Sequence, residues 1–313
     1  MPHTNVNTSL PLGAGGCFPM KIAIHGRKFS VESVPYIQQV FDELKQHKVE
    51  IQVSEAFKRI LLQSGIRLDS KEVYTTPDEI FDADFAFSLG GDGTFLETLA
   101  HVGKREIPIL GFNFGRLGFL AAISPEKIQR TIYQLINGYY TVDERTMISA
   151  SSQTELFEEG TNFALNEIAI SKTDTSSMIV VHAYINGEFL NTYWADGLMV
   201  ATATGSTGYS LSCGGPLVMP HSANFIITPI CPHNLFVRPM IVSDDSVISF
   251  KVESRSNNFL VSMDSRAKII GSDEETTITV KKENFKAKMV RMEGDDFLST
   301  LRGKLKWGID ARN

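Results

Sequence analysis

Up to Gly138 the chain alternates short apolar runs with amphipathic stretches of helical length; after Tyr139 that alternation gives way to short period-two runs. This change constrains the fold more than any composition figure. Strand–helix repeats build a mostly parallel sheet, whereas consecutive short strands build antiparallel ones. In the first region, residues 22–25 read as a buried strand ended by Gly26, and residues 33–47 as a helix with Ser33 as N-cap. Residues 49–53 form a second strand and residues 55–62 a second helix. Residues 84–89 are a further strand, leading through Gly90-Gly91-Asp92-Gly93-Thr94 into a helix that starts at Thr94 and runs through Ala100. The strand pattern recurs at residues 107–113, and residues 125–137 are helical with Gly138 as the stop.

In the second region, apolar–polar alternation marks residues 147–150, 164–171, 178–185, 225–228, 247–252 and 276–280. Asn186-Gly187, between two such runs, predicts a hairpin because both residues tolerate positive φ. One helix is expected after Gly205, and a helical tail over residues 296–305 is expected to return to the first domain. A length of 313 residues, 42% of them hydrophobic, suits two cores rather than one. The limits are drawn at 1–19 for a disordered extension, 20–140 for the α/β domain, 141–290 for the all-β domain and 291–313 for the tail.

Charge and cysteine content narrow the function classes. A net charge of −6 argues against a nucleic-acid binder working through a positive field, so phosphates must be held by local devices. Cys17, Cys213 and Cys231 have neither CxxC nor CxxH spacing, which points away from a disulfide framework or zinc site and towards a reducing cytoplasm. No apolar run has the length of a membrane helix, so no membrane partner is expected.

The Gly90-Gly91-Asp92-Gly93-Thr94 turn carries the most chemistry. Its glycines let backbone N–H groups converge on an anion, and the following helix adds the favourable end of its dipole. A carboxylate would repel that anion unless Asp92 binds Mg²⁺ or takes the proton of an attacking hydroxyl. The turn matches neither G-x-G-x-x-G nor G-x-x-x-x-G-K-[ST].

GGDGT resembles the signature shared by NAD kinases, diacylglycerol and sphingosine kinases and, as GGDGS, phosphofructokinases. Two further stretches resemble NAD kinases specifically. One is Leu165-Asn166-Glu167; the other is Asp196-Gly197-Leu198 followed by residues 204–212 and Gly214-Gly215-Pro216. The likeness extends from Met20 through Phe236-Val237-Arg238-Pro239 to residues 301–307.

The resemblance implies a Rossmann-like N-terminal domain that binds ATP, a C-terminal β-sandwich that binds NAD, and transfer of a phosphate from ATP to the 2′-hydroxyl of NAD's adenosine ribose. Asp92 would be the catalytic acid–base group. Gly90, Gly91, Gly93, Thr94 and Arg116 would hold ATP phosphates, with Mg²⁺ or another divalent metal whose ligands stay unassigned. NAD would be held by Asp92, Gly93, Phe119, Asn166, Glu167, Asp196, Thr207, Gly208, Tyr209, Ser210, Leu211 and Ser212. Phe119 would lie near the adenine and Asp196 towards the nicotinamide. A homodimer or homotetramer in the cytoplasm is implied as well.

The chain departs from the family pattern at four positions. Glu97 stands where a basic residue is frequent, Gly208 replaces the usual alanine, Arg266 occupies a position often held by Gln or Asn, and Trp194 precedes Asp196 where the family varies. Two other readings remain: a lipid kinase of the GGDGT type, which has no use for Asn166-Glu167, and a non-catalytic dinucleotide-binding regulator, which leaves Asp92 idle.

Overall fold

A computed structural model describes residues 19–68, 73–80, 82–115, 118–158, 160–175, 177–271 and 276–306. The expected extension at residues 1–19 and the Arg116 assignment therefore lie outside the described residues, except for Pro19. The chain divides into two compact units, residues 1–144 with 288–313, and residues 145–287.

The first unit holds strands β1 (Lys21–Gly26), β2 (Glu50–Ser54), β3 (Val73–Tyr74), β4 (Phe85–Leu89) and β5 (Ile109–Phe112). They pair in parallel in the order β5-β4-β1-β2-β3. Helices α1 (Val34–Gln46), α2 (Glu55–Gln63) and α3 (Asp92–Val102) connect them, as the strand–helix alternation requires, and α4 (Ile128–Ile136) follows β5. Ile22, Ile24, Phe87 and Phe112 from the sheet meet Ile37, Val40, Phe57 and Ile132 from helices in one core. Burying each such side chain is worth about 1.5–3 kcal/mol. The strand order reverses at β1, since β2 and β3 lie on one side of it and β4 and β5 on the other. Open α/β sheets bind ligands outside the carboxyl ends of their strands at such a reversal.

One boundary and one capping detail differ from the sequence expectation. The third helix begins at Asp92, with Gly91 as N-cap, so Asp92 and Gly93 are helical residues rather than parts of a loop. Ser33 does occupy the N-cap of α1, but its side chain makes no capping bond and instead meets Ser30 Oγ at 3.1 Å.

In the second unit the strand pairs with a described register are antiparallel. Strand β6 (Tyr140–Ser151) leads into it, followed by β7 (Phe163–Ala164), β8 (Glu167–Ser171), β9 (Ile179–Ile185), β10 (Glu188–Ala195) and β11 (Gly197–Thr202). After a single-turn helix α5 (Tyr209–Ser212) come β12 (Asn224–Ile230), β13 (Met240–Ser243), β14 (Ile248–Glu253), β15 (Asn258–Met263), β16 (Arg266–Gly271) and β17 (Thr277–Met292). One sheet runs β13-β12-β11-β8-β15-β16, and β10-β9-β14-β17 form the other. Ile168, Val200, Phe225 and Phe259 of the first pack with Val181, Phe250, Ile278 and Val280 of the second in a sandwich core. Strand β11 is buried on both faces, which explains its unbroken run Leu198-Met199-Val200-Ala201. The hairpin at Asn186-Gly187 has φ of 51° and 83°, as its sequence requires.

The closing helix α6 (Phe297–Leu305) belongs to the first unit and is capped by Asp296, whose side chain accepts from Ser299 N at 2.7 Å. Among the described residues no helix is long and apolar enough to cross a membrane.

Candidate active site

In the first unit, the chemistry gathers at the carboxyl ends of β4 and β1, where the sheet order reverses. Gly90 is required sterically, because a Cβ there would meet Thr94 Oγ1 at 2.3 Å. Gly91 and Gly93 instead face open space, with only Arg27 Nη1 as near as 3.8 Å to a Cβ at Gly93. The Gly90 amide donates to Phe112 O and the Thr94 amide to Gly91 O. The amides at the open end of α3 are thus those of Gly91, Asp92 and Gly93, whose first-turn positions lack intrahelical acceptors.

Asp92 does not hang free in this turn. Its Oδ2 accepts from Phe119 N at 2.8 Å, and its Oδ1 accepts from Leu120 N at 3.1 Å and Ala121 N at 3.0 Å. A carboxylate offers about four acceptor sites, so one remains for a further donor. Gly118 makes the embrace possible, since a Cβ there would lie 1.9 Å from Asp92 Oδ1. Lys304 of α6 comes within 3.7 Å of Asp92 Oδ2 and places its ammonium 4.6 Å from the centre of the Phe119 ring. Phe297 packs on that ring at 6.1 Å. Neither α6 residue stood out in sequence, where Lys304 is one of several basic residues in a short tail.

Glu97 lies one turn beyond the glycines and pairs with Arg27 at 2.6 Å and His25 at 3.4 Å. Against burial, which pushes the other way, His25 and Arg27 hold its carboxyl below the usual range. The basic group missing at position 97 is thus present as Arg27, from the end of β1.

In the second unit, Asp264 repeats the device seen at Asp92. Its half-buried carboxylate accepts from Leu165 N at 2.8 Å, Asn166 N at 2.8 Å and Glu167 N at 3.3 Å. It sits in a turn at φ 51° between β15 and β16. Burial pushes its pKa up, opposed by those three amides and by Arg266. Thr202 adds a bond from its hydroxyl to Leu165 O at 2.6 Å. Gly205 lets the following turn lie against Asn166, whose carbonyl would be 2.0 Å from a Cβ at that position. At Gly208 a Cβ would stand 3.2 Å from Glu167 Oε2, so the glycine leaves room above that carboxyl that the usual alanine would take.

Asn166, Glu167, Gly208 and Tyr209 are therefore neighbours. The Tyr209 amide bonds to Glu167, yet Glu167 Oε2 is buried without a partner. Burial, with the charge of Asp264 adding to it, raises the Glu167 pKa to about 8. The folded chain then holds a proton that the unfolded chain releases near pH 4.5. Stability is expected to fall as pH rises from about 4.5 to about 8, by up to about 1.4 kcal/mol per unit. Glu167→Gln should remove that slope, a result checked by urea unfolding of both proteins at pH 5, 7 and 9.

The remaining assigned residues divide. Thr207, Tyr209, Leu211 and Ser212 keep exposed or half-exposed side chains. Ser210 is fully buried and spends its hydroxyl on Thr228 Oγ1 at 2.9 Å, so it acts through packing. Asp196 forms an ion pair with Lys172 at 2.7 Å, a partner with no distinguishing mark in the sequence. Arg266 donates to the carbonyls of Thr161 and Phe163 and lies over the Phe157 and Phe163 rings. Its replacement of Gln or Asn thus serves this packing. Among the described residues no group of three or more His, Cys, Asp or Glu side chains converges on a metal position, and Asp92 is already held by amides.

Comparison with known proteins adds to this geometry. The ATP-NAD kinase N-terminal domain matches residues 22–140, and the ATP-NAD kinase C-terminal domain matches residues 165–292. The NAD kinase of Cytophaga hutchinsonii is 50% identical over 295 residues, covering 94% of this chain and 100% of that protein. The crystal structure of an NAD kinase from Archaeoglobus fulgidus in complex with ATP is 29% identical with a TM-score of 0.72, covering 92% of this chain and 99% of that one. Yeast NADH kinase complexed with NADH shares the fold at a TM-score of 0.81 and 24% identity, over 93% of this chain and 89% of the other.

Proposed function

The chain belongs to the NAD kinase family and is an NAD kinase, and from that premise we propose how its residues divide the work. The γ-phosphoryl group of ATP passes in line to the 2′-hydroxyl of NAD's adenosine ribose, with no phospho-enzyme. The amides of Gly91, Asp92 and Gly93, at the dipole end of α3, take the ATP phosphates, aided by Arg27. Asp92 orients the attacking hydroxyl and receives its proton at the acceptor site that its three amides leave open. Magnesium enters this reading as the counter-ion of ATP, since among the described residues no three His, Cys, Asp or Glu side chains form a cage for it.

On the NAD side, Asn166 offers donor and acceptor to the adenosine. Glu167, largely protonated and with Oε2 buried without a partner, exchanges hydrogen bonds with a ribose hydroxyl. Asp196, Thr207, Gly208, Tyr209, Leu211 and Ser212 complete that surface, and Phe119 stacks near the adenine. A cytoplasmic homodimer or homotetramer is part of the same proposal, and light scattering on the purified protein tests the oligomer.

The observation that carries the reading is the carboxylate of Asp92, fixed by three amides in the first turn of α3 beside open glycine amides. Incubating the protein with NAD, ATP and Mg²⁺ should yield NADP with phosphate on the adenosine ribose. Tight NAD binding without ATP-dependent product would instead favour a regulator.

A further inference from the structure

A second cavity opens in the first unit, at the carboxyl ends of β1, β2 and β3 and away from the glycine turn. Its volume is about 260 Å³, and Ser54, Glu55, Ala56, Tyr74, Thr75 and His101 are among the residues that line it. We propose that this cavity receives the adenosine of the donor nucleotide, with Glu55 binding the ribose hydroxyls and His101 facing the base. The inference rests on the assignment of the ATP phosphates to the amides at the start of α3.

Four observations support it. The cavity shares helix α3 with the phosphate position: His101 is nine residues beyond Asp92, about 13.5 Å along the axis and comparable to the reach of an extended nucleoside triphosphate. Polar groups join the two ends without a break. Arg27 beside Gly93 pairs with Glu97, Glu97 meets His25, and His25 Nδ1 bonds Ser54 Oγ at 2.9 Å in the cavity wall.

His101 supplies the third. Its ring lies 4.5 Å from that of His25 and 5.5 Å from that of Tyr74, and its buried Nδ1 has no hydrogen-bond partner. Burial lowers its pKa to about 4, so the imidazole is neutral and can pair with a polar edge of a base. The fourth is Glu55, which follows the last residue of β2, where an acid in dinucleotide-binding sheets accepts from ribose hydroxyls. Its carboxylate already accepts from Arg59 and from Thr75 Oγ1, leaving about two acceptor sites. It is 40% exposed, within reach of a ligand arriving from solvent.

The test compares Mg²⁺–ATP with Mg²⁺–tripolyphosphate, which carries the same phosphates and no nucleoside. Calorimetric titration of the full chain should show ATP binding at least about tenfold tighter, the equivalent of one well-made set of nucleoside contacts. Ala56 is exposed in the first turn of α2, so Ala56→Trp fills the cavity mouth without removing a core contact. Ala56→Trp and, separately, Glu55→Gln should shrink the ATP advantage severalfold or more while tripolyphosphate affinity stays unchanged. Equal affinity for the two ligands in the wild-type protein, or an advantage that survives both variants, overturns the assignment. The kinase reading is judged apart from this, by NADP formation alone.

Discussion

Asp92→Asn is expected to lower kcat by about 10²–10⁴-fold, the range lost when a positioned general base is removed. The geometry adds a second expectation. An asparagine can keep its oxygen on the Leu120 and Ala121 amides, but its NH₂ then faces the Phe119 N–H, donor against donor. The loop carrying Phe119 should loosen, and KM for NAD should rise by a few-fold alongside the fall in kcat. Steady-state kinetics with NAD and ATP varied separately resolve the two effects. An unchanged kcat removes Asp92 from the chemistry.

Asp264→Ala is expected to cost about 3–6 kcal/mol of stability, because three part-buried amides lose this acceptor at about 1–3 kcal/mol each, less where water enters. This exceeds the usual effect of a point substitution. Asp264→Asn should cost less, since one oxygen can still serve Asn166 and Glu167. Chemical unfolding measures both, and an alanine variant within about 0.5 kcal/mol of wild type contradicts the role. Any soluble fraction of Asp264→Ala should also bind NAD weakly, because Asn166 and Glu167 lose the group that sets their backbone.

These two aspartates were unequally visible beforehand. Asp92 announced itself because a carboxylate among three glycines makes little sense without chemistry. Asp264, in Met263-Asp264-Ser265, looks like any hairpin residue. Nearly 100 residues separate it from the amides it holds, and only the pairing of β8 with β15 brings them together. The same holds for Lys304 beside Asp92, for Lys172 beside Asp196 and for the Arg27–Glu97 pair. In each case the partner is ordinary by residue type and informative only by position. The strands β3, β11, β13, β15 and β16 carry no clear local signal either; β11 lacks alternation because both of its faces are buried. Short edge segments and hairpin arms carry too few alternations to stand out from loop sequence.

What the sequence determined by itself was the division into a strand–helix region and a strand-only region, the hairpin at Asn186-Gly187 and the resemblance carried by GGDGT, Asn166-Glu167 and residues 204–212. These are local: periodicity, turn chemistry and contiguous residues suffice to read them. The tertiary structure alone decided that the sheet reverses at β1, that Asp92 is the first residue of a helix rather than part of a loop, and that its carboxylate is locked by three amides from another segment. It also decided that Ser210 and Arg266 spend their polar groups inside the fold. Those outcomes depend on which distant backbone groups come to need a partner, and pairing of strands far apart in sequence sets that need.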